Sequence, residues 1–230
     1  IIPFSVLGLL EIFPKDLLID NKSSINKYIM NFLSIDCSTD IGSLFVKIKN
    51  KTFSKVLQSD KSNIDLLMKQ ILDFFKENNL KLDDLSDIFV NEGPGNFSGL
   101  RGSLATAKGI SLSKDLNLVG YNTFILSCAK FFNKKDLIFC LIKFREKYFI
   151  KGFNKNLNSI SEVKEIKEHD LIKKYNKNFL VIPKNMVKNF NLNIRELENL
   201  KIVNLDSNNL EFLKLKGLLN EGLIKPLYLG

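Results

Sequence analysis

The feature that most constrains this chain is an abrupt elbow between an apolar strand and a long helix. Ile88-Phe89-Val90 has the composition of a short buried strand, and Asn91-Glu92-Gly93-Pro94-Gly95-Asn96-Phe97-Ser98-Gly99-Leu100-Arg101 follows it directly. Gly93 and Gly95 bracket Pro94; glycine admits positive φ and proline fixes the φ between them, so the strand must stop there. Leu100, Leu104 and Ala107 then recur at helical spacing, which predicts a helix over about 97–115. A strand that turns straight into a helix dictates an α/β fold with the helix laid against the sheet. The elbow leaves two roles open. Its N–H groups could face an anion at the helix N-terminus, or its glycines could serve close docking of the helix alone. It is neither a G-x-G-x-x-G nor a Walker-type loop, since no Gly-Lys-Ser/Thr closes it.

The helix behind the elbow carries a second pattern. Gly102, Thr106, Gly109 and Ser113 lie at spacings of four, three and four and share one face. A helical glycine costs about 1 kcal/mol relative to alanine, so two on one face point to close approach of another backbone, in this chain or in a partner.

Around this segment the periodicities predict a strand at 32–36, a turn over Cys37–Gly42 and a returning strand through Leu44, Val46 and Ile48. A helix capped by Ser62 or Asn63 carries Ile64, Leu67, Met68, Ile71 and Phe75; a strand at 118–120 and a helix at 123–132 follow. From residue 137 the order starts over. A hairpin spans 137–144 and 147–153 around Arg145-Glu146, strands follow at 179–182 and 201–204, and a helix at about 208–220 stops at Gly222. The repeated order predicts two similar α/β halves, 30–134 and 135–230, divided at the polar Asn133-Lys134-Lys135 break. Residues 1–29 read as an upstream extension outside the fold, with Met30 in the place of a start codon and no signal-peptide pattern.

Composition narrows the class. The 230 residues include only three cysteines, Cys37, Cys128 and Cys140, with no CxxC pair, which suits a reducing cytoplasm. No apolar run approaches the roughly 20 residues of a membrane span. The net charge is +9, yet only Arg101, Arg145 and Arg195 are arginines among 34 basic residues, and the lysines are dispersed along the sequence. Arginine supplies bidentate phosphate contacts, so the charge by itself predicts a generic solvated surface more than a nucleic-acid face.

Three segments together carry a family resemblance: Leu33-Ser34-Ile35-Asp36-Cys37-Ser38-Thr39-Asp40, the elbow GPGNFSGLR at 93–101, and Lys225-Pro226-Leu227-Tyr228-Leu229. The chain resembles the bacterial TsaB (YeaZ) family of tRNA threonylcarbamoyladenosine biosynthesis, best over residues 31–153. The family pattern at the elbow resembles GPGSFTGLR; Asn96 and Ser98 are the two departures within it, and Gly102-Ser103 replaces the usual Ile-Gly. The resemblance implies a two-lobed actin-like, sugar-kinase-like ATPase fold built from duplicated α/β halves. In catalytic members a nucleotide sits between the lobes on Asp-Gly phosphate hairpins. Asp36, Ser38 and Thr39 occupy the place of the first hairpin, as a vestige of it. The second reads Lys143-Phe144-Arg145, without an acid, and no Gly-Gly pair is present to seat an adenine. The nucleotide cleft is therefore expected to be degenerate.

The single histidine, His169, lies in a charged segment, and the related catalytic subunit's His-x-x-x-His metal pair has no counterpart; Asn63 stands where the subfamily often carries a histidine. Metal sites need three or four ligands, and no cysteine has an identifiable base. The resemblance implies a cytoplasmic, non-catalytic pseudoenzyme with no catalytic residue, metal or cofactor of its own, ATP and metal residing on a homologous catalytic partner. It further implies a heterodimer with that partner, an ATPase subunit and tRNA reached through the complex, a homodimer when alone, and no membrane association. The expected partner interface is Ile64, Leu67, Met68, Ile71 and Phe75 of one helix with Gly102, Thr106, Gly109 and Ser113 of the other. Gly93, Pro94, Gly95, Phe97, Gly99 and Arg101 form the structural elbow. Two alternatives stay open: an independent ATP- or metal-dependent enzyme of the same fold, and a direct tRNA-binding module.

Overall fold

Two sheets of identical internal order are the frame of the chain, for which the computed structural model describes residues 30–58, 66–190 and 197–229. The first sheet holds β1 (Phe32–Asp36), β2 (Ile41–Ile48), β3 (Lys51–Gln58), β4 (Asp87–Gly93) and β5 (Asn117–Asn122) in the order β3-β2-β1-β4-β5. The second holds β6 (Leu137–Phe144), β7 (Lys147–Asn154), β8 (Lys164–Ile166), β9 (Leu180–Pro183) and β10 (Leu200–Val203) in the order β10-β9-β6-β7-β8. Read from the other edge, the second order repeats the first. Each sheet opens with an antiparallel three-strand meander and then adds two strands parallel to its first. The duplication expected from the repeated strand order is present.

Strand periodicity sorts the side chains of the first sheet. Leu33, Ile35, Leu44, Val46, Ile88 and Val90 form one core with Leu67, Ile71, Phe74 and Phe75 of α1 (Leu67–Glu77) and Ala107 and Ile110 of α2 (Phe97–Lys114). On the opposite face Phe32 packs edge-on against Phe89 at 4.8 Å, and the Ser34 and Tyr121 hydroxyls meet at 3.3 Å. α3 (Thr123–Cys128), capped by the Asn122 side chain on the Ile125 N–H, contacts strands of both sheets. The second sheet is covered by α4 (Glu168–Tyr175) through Leu171.

The last segment returns to the first sheet. α5 (Asn209–Leu215) is tied there by two ion pairs, Glu211 to Lys47 of β2 and Lys214 to Asp87 of β4.

Three expectations need correction. Leu67, Ile71 and Phe75, expected on a partner-facing surface, are buried in the chain's own core, because the apolar stripe of α1 faces the first sheet. Met68 does face outward, as do Leu66 and Leu72, while Ile64 and the 1–29 extension lie outside the described residues. The terminal helix stops at Gly217, with φ of +66° and the Leu218 N–H on the Leu213 carbonyl, and not at Gly222. β3, β8 and α4 were not anticipated: β3 is an edge strand whose exposed face is polar enough to mask its alternation.

Candidate functional site

The three segments that carry the resemblance meet in space. β1 ends at Asp36, and its turn delivers Ser38 under the elbow. Built onto Gly95, a Cβ would lie under 3.0 Å from the Ser38 carbonyl oxygen; built onto Gly99, it would lie under 3.0 Å from the Cys37 carbonyl oxygen. Both glycines are therefore required by close approach of the turn's backbone. The Asn96 N–H donates to the Ser38 carbonyl at 2.8 Å, and the Asn96 side chain donates to Asp40 at 2.6 Å. Of the elbow's two open roles, this geometry realises docking: the amide that leads into α2 already has a protein acceptor.

Beneath the elbow lies a buried polar cluster centred on Asn91. Its amide nitrogen donates to Asp36 Oδ2 at 2.9 Å and to Thr123 Oγ1 at 3.0 Å, with Ser38 Oγ at 3.3 Å; its Oδ1 accepts from the Gly93 N–H at 2.8 Å. Asp36 Oδ1 accepts from the Ser38 N–H at 2.9 Å, so both carboxylate oxygens are engaged within the chain. The Thr39 hydroxyl donates to the Ile41 carbonyl at 2.9 Å. Burial, reinforced by the Asp36 charge, pushes the Cys37 thiol up to about 12, which leaves it protonated and unreactive at neutral pH.

The C-terminal motif closes the other side. The Leu227 N–H donates to the Glu92 carbonyl at 2.6 Å. Gly93 sits at φ +117°, and a Cβ there would stand 2.9 Å from the Leu227 carbonyl oxygen. Tyr228 stacks on Phe97 at 5.2 Å between ring centroids. The Arg101 guanidinium lies 3.8 Å from the Phe97 centroid, and its Nε donates to the Tyr228 hydroxyl at 3.0 Å. Pro94 is joined to Gly93 by a cis peptide bond.

Glu92 anchors this strap. Its Oε1 accepts from Asn220 Nδ2 at 2.9 Å, and Asn220 exchanges backbone hydrogen bonds with Gly120 at 2.7 and 3.0 Å. A Cβ on Gly120 would stand 2.7 Å from the Glu92 carboxylate, so a side chain there would push that carboxylate aside from its bond to Asn220. Desolvation raises the Glu92 carboxyl above its ordinary range, against opposing hydrogen bonds from Asn220 and the Lys225 N–H and the charge of Lys151. A raised folded-state value means that the folded chain binds this proton more tightly. The stability linked to protonation is fully present below the ordinary carboxylate range and is lost as pH rises through the raised value. Glu92→Gln keeps the acceptor and removes the charge. It should melt higher than wild type at pH 7, and the gap should close as the pH falls toward 4; a constant gap in melts across that range would contradict this assignment.

In the second half the β6–β7 hairpin is closed by Arg145 and Glu146 alone, both left-handed with φ of +48° and +59°. Lys143 is buried beside it and donates to Glu146 Oε2 at 2.9 Å. The two-residue turn thus carries one cation and one acid, with a second cation, Lys143, at the end of the preceding strand. His169 is exposed on α4, and among the described residues no group of three or more His, Cys, Asp or Glu side chains could hold a metal ion.

On the outer face of α2, Gly109 and Ser113 are exposed and Gly102 and Thr106 half-buried. Outside its chain neighbours and its own helix backbone, no atom of the described residues lies within 4 Å of a Cβ built on Gly109, and Leu112 nearby is 85% exposed. The helix glycine therefore serves no contact that the described residues make. Asn91, Thr123, Glu92 and Asn220 were missed as site residues: all four are ordinary polar residues in sequence, and only their convergence on the elbow gives them meaning.

A family model described as TsaD: tRNA N6-adenosine threonylcarbamoyltransferase matches residues 58–192, more than half of the chain. Two proteins named tRNA threonylcarbamoyladenosine biosynthesis protein TsaB are similar in sequence. The one from Buchnera aphidicola subsp. Baizongia pistaciae is 27% identical over 106 residues, 46% of this chain and 48% of the relative. The one from Buchnera aphidicola subsp. Acyrthosiphon pisum is 23% identical over 131 residues, 56% of this chain and 59% of the relative. The chain thus spans about half the length of the curated relatives it matches. In fold it is similar to YeaZ from Pseudomonas aeruginosa, with a TM-score of 0.65 at 13% identity over 87% of this chain and 100% of that one. A second structure, of an uncharacterized protein with similarity to peptidase YEAZ from Pseudomonas aeruginosa, gives a TM-score of 0.66 at 13% identity, covering 88% of this chain and 100% of that one. Together with the duplicated sheets, these matches show a two-lobed α/β fold shared with the YeaZ structures and a sequence similar to the TsaB proteins, and the chain belongs to the family that the TsaD model describes.

Proposed function

We propose that the chain is a cytoplasmic, non-catalytic subunit of tRNA threonylcarbamoyladenosine biosynthesis that binds and activates a homologous catalytic threonylcarbamoyltransferase. The observation that carries the proposal is the state of the cleft residues. Asp36, the acid of the first hairpin, has both oxygens occupied by Ser38 and Asn91, and the matching position in the second hairpin is the buried cation Lys143. A magnesium-bound triphosphate needs free acidic ligands and open amides, and the elbow amide already donates to Ser38. ATP and metal then belong to the partner, and the role left to this chain is to fix that enzyme's conformation and help present tRNA and an ATPase subunit to it.

The interface we propose is the outward face of α1 and α2: Met68 and Leu72 with Gly102, Thr106, Gly109, Leu112 and Ser113. Small residues at 102 and 109 let a partner helix approach closely, and exposed Met68, Leu72 and Leu112 supply apolar area. Gly109→Arg combined with Leu112→Asp alters only solvent-facing positions. The pair should leave the melting temperature within a few degrees of wild type while abolishing co-purification with the catalytic homologue. Undiminished co-purification would move the interface elsewhere. Titration of the isolated chain with ATP and magnesium in a calorimeter should give no binding heat; micromolar binding would favour an independent enzyme of this fold.

A further inference from the structure

Although the lysines are dispersed in sequence, folding gathers six of them. The second half holds most of the charge: residues 135–230 carry 18 lysines and arginines against 11 acids. One cluster surrounds the connection from α3 to β6 and takes in Lys130 and Lys134 from the end of the first half. Lys130 Nζ lies 5.3 Å from the Phe131 ring centroid, Lys135 Nζ 5.0 Å from that of Phe179, and Lys216 Nζ 5.5 Å from that of Phe132. These rings are themselves in contact: Phe131 meets Phe179 at 4.9 Å, and Phe132 meets Phe212 at 5.1 Å. Lys134 is in the same connection, and the Asn133 N–H donates to the Lys155 carbonyl at 2.8 Å, bringing the β7 end alongside. Lys177 precedes Phe179 by two residues.

Lys130, Lys134, Lys135, Lys155 and Lys177 are exposed and Lys216 half-buried, and none of the six forms an ion pair with a described residue. Some cations elsewhere on the chain are matched, as in Lys47–Glu211, Lys55–Glu77 and Lys114–Asp83. Asp136 is the single acid in the stretch 129–137. Like charges gathered on one surface repel one another, and a polyanion that bridges several of them relieves that repulsion while releasing its own counterions. The half-buried rings fix the lysine stems from below, so that the ammonium groups stand at defined places on the surface.

We infer that this surface, Lys130, Lys134, Lys135, Lys155, Lys177 and Lys216 on the phenylalanine cluster, binds the phosphate backbone of structured RNA. Lysines, which act as point charges, suit sequence-independent phosphate contact, and no arginine fork is present for base readout. The choice of RNA over another polyanion rests on the tRNA-processing function proposed above; the electrostatic face itself does not.

The test uses the full chain and an unmodified tRNA transcript in fluorescence-polarisation titrations at 50 and 200 mM salt. Lys130→Gln, Lys134→Gln, Lys135→Gln and Lys155→Gln in one variant should weaken binding at least about 30-fold and flatten the log–log salt slope by roughly 3, at about 0.9 per lost phosphate contact. A control with the same charge change on the first half, Lys49→Gln, Lys51→Gln, Lys76→Gln and Lys81→Gln, should lose less than about 3-fold, as net charge alone acts weakly at this ionic strength. Should the patch variant fold poorly, acetylation footprinting of the wild-type chain tests the same surface without substitution: tRNA should protect the patch lysines and not the control set. Equal loss in both variants, no loss in either, no binding by wild type at 50 mM salt, or patch-dependent capture by phosphatidylserine vesicles without RNA binding would each overturn the inference. Co-elution of the patch variant with the catalytic homologue should stay intact, so failure here and failure of the proposed function give different results.

Discussion

Gly99→Ala is expected to destabilise the chain by about 2–3 kcal/mol, the usual cost of forcing a methyl into occupied space. Ordinarily this change helps: alanine is favoured over glycine inside a helix by about 1 kcal/mol. At position 99 the added carbon would meet the Cys37 carbonyl oxygen at under 3.0 Å, and that atom belongs to the backbone of the turn and cannot rotate aside. Gly109 in the same helix supplies the internal contrast, because a Cβ there meets open space. Gly109→Ala should therefore stabilise by about 1 kcal/mol. Paired thermal melts of the two variants read the sign directly, with Gly99→Ala lower by roughly 4–12 °C for a chain of this size. If both alanines raise the melting temperature, the β1–β2 turn is not seated against the elbow, and the convergence of the three motifs is wrong.

The second large effect concerns the return of α5 to the first sheet. Lys214→Met should cost about 3–5 kcal/mol, the penalty of leaving a buried charge without its counterion. The Asp87 side chain is only 4% exposed; with Lys214 removed, its remaining side-chain partner is the Ser86 hydroxyl at 2.6 Å. The loss should not be mistaken for the net worth of the pair, since a well-packed apolar replacement of both partners can be neutral. Accordingly Lys214→Met combined with Asp87→Leu should recover most of the stability. Removing Lys55 from its pair with Glu77, which is far more exposed, should cost less than about 1 kcal/mol. Denaturant melts of these variants test the pattern; a Lys214 effect no larger than the Lys55 effect would show that α5 is not clamped on the sheet.

What the sequence made legible follows from which physical signal each element leaves. The strand–elbow–helix segment was readable because its constraints are local. Proline and glycine fix backbone angles, and the apolar repeat of α2 is unbroken, so its bounds of Phe97 to Lys114 matched the expectation closely. The hairpin β6–β7 was readable for the same reason, two alternating runs around a two-residue turn. The failures lie where the deciding interaction is long-range. Leu67, Ile71 and Phe75 have helical spacing whether the stripe meets a partner or the chain's own sheet, and only the fold chose the sheet. Gly95 and Gly99 carry no sign in sequence that the Ser38 and Cys37 carbonyls, about sixty residues earlier, require them. Tyr228 belongs to a terminal motif in sequence, yet its stacking on Phe97 and its bond to Arg101 span most of the chain. The lysine cluster is the clearest case: dispersal in sequence and density in space are independent properties.

These observations also connect fold to role. The polar cluster around Asn91 and Asp36 holds β1, β4 and α3 in one register, and the elbow fixes α2 at its N-terminus. The rigidly placed helix then presents Gly109 and Leu112 outward. A polar cluster engaged as internal scaffold, with an open helix face beside it, suits the role proposed above for a subunit that acts on another subunit.

The most direct measurement is co-expression of this chain with the homologous catalytic threonylcarbamoyltransferase proposed as its partner, followed by size-exclusion chromatography. One peak containing both chains in equal amounts is expected, lost when Gly109→Arg and Leu112→Asp are introduced together. Separate elution of the two wild-type chains at micromolar concentration would contradict it.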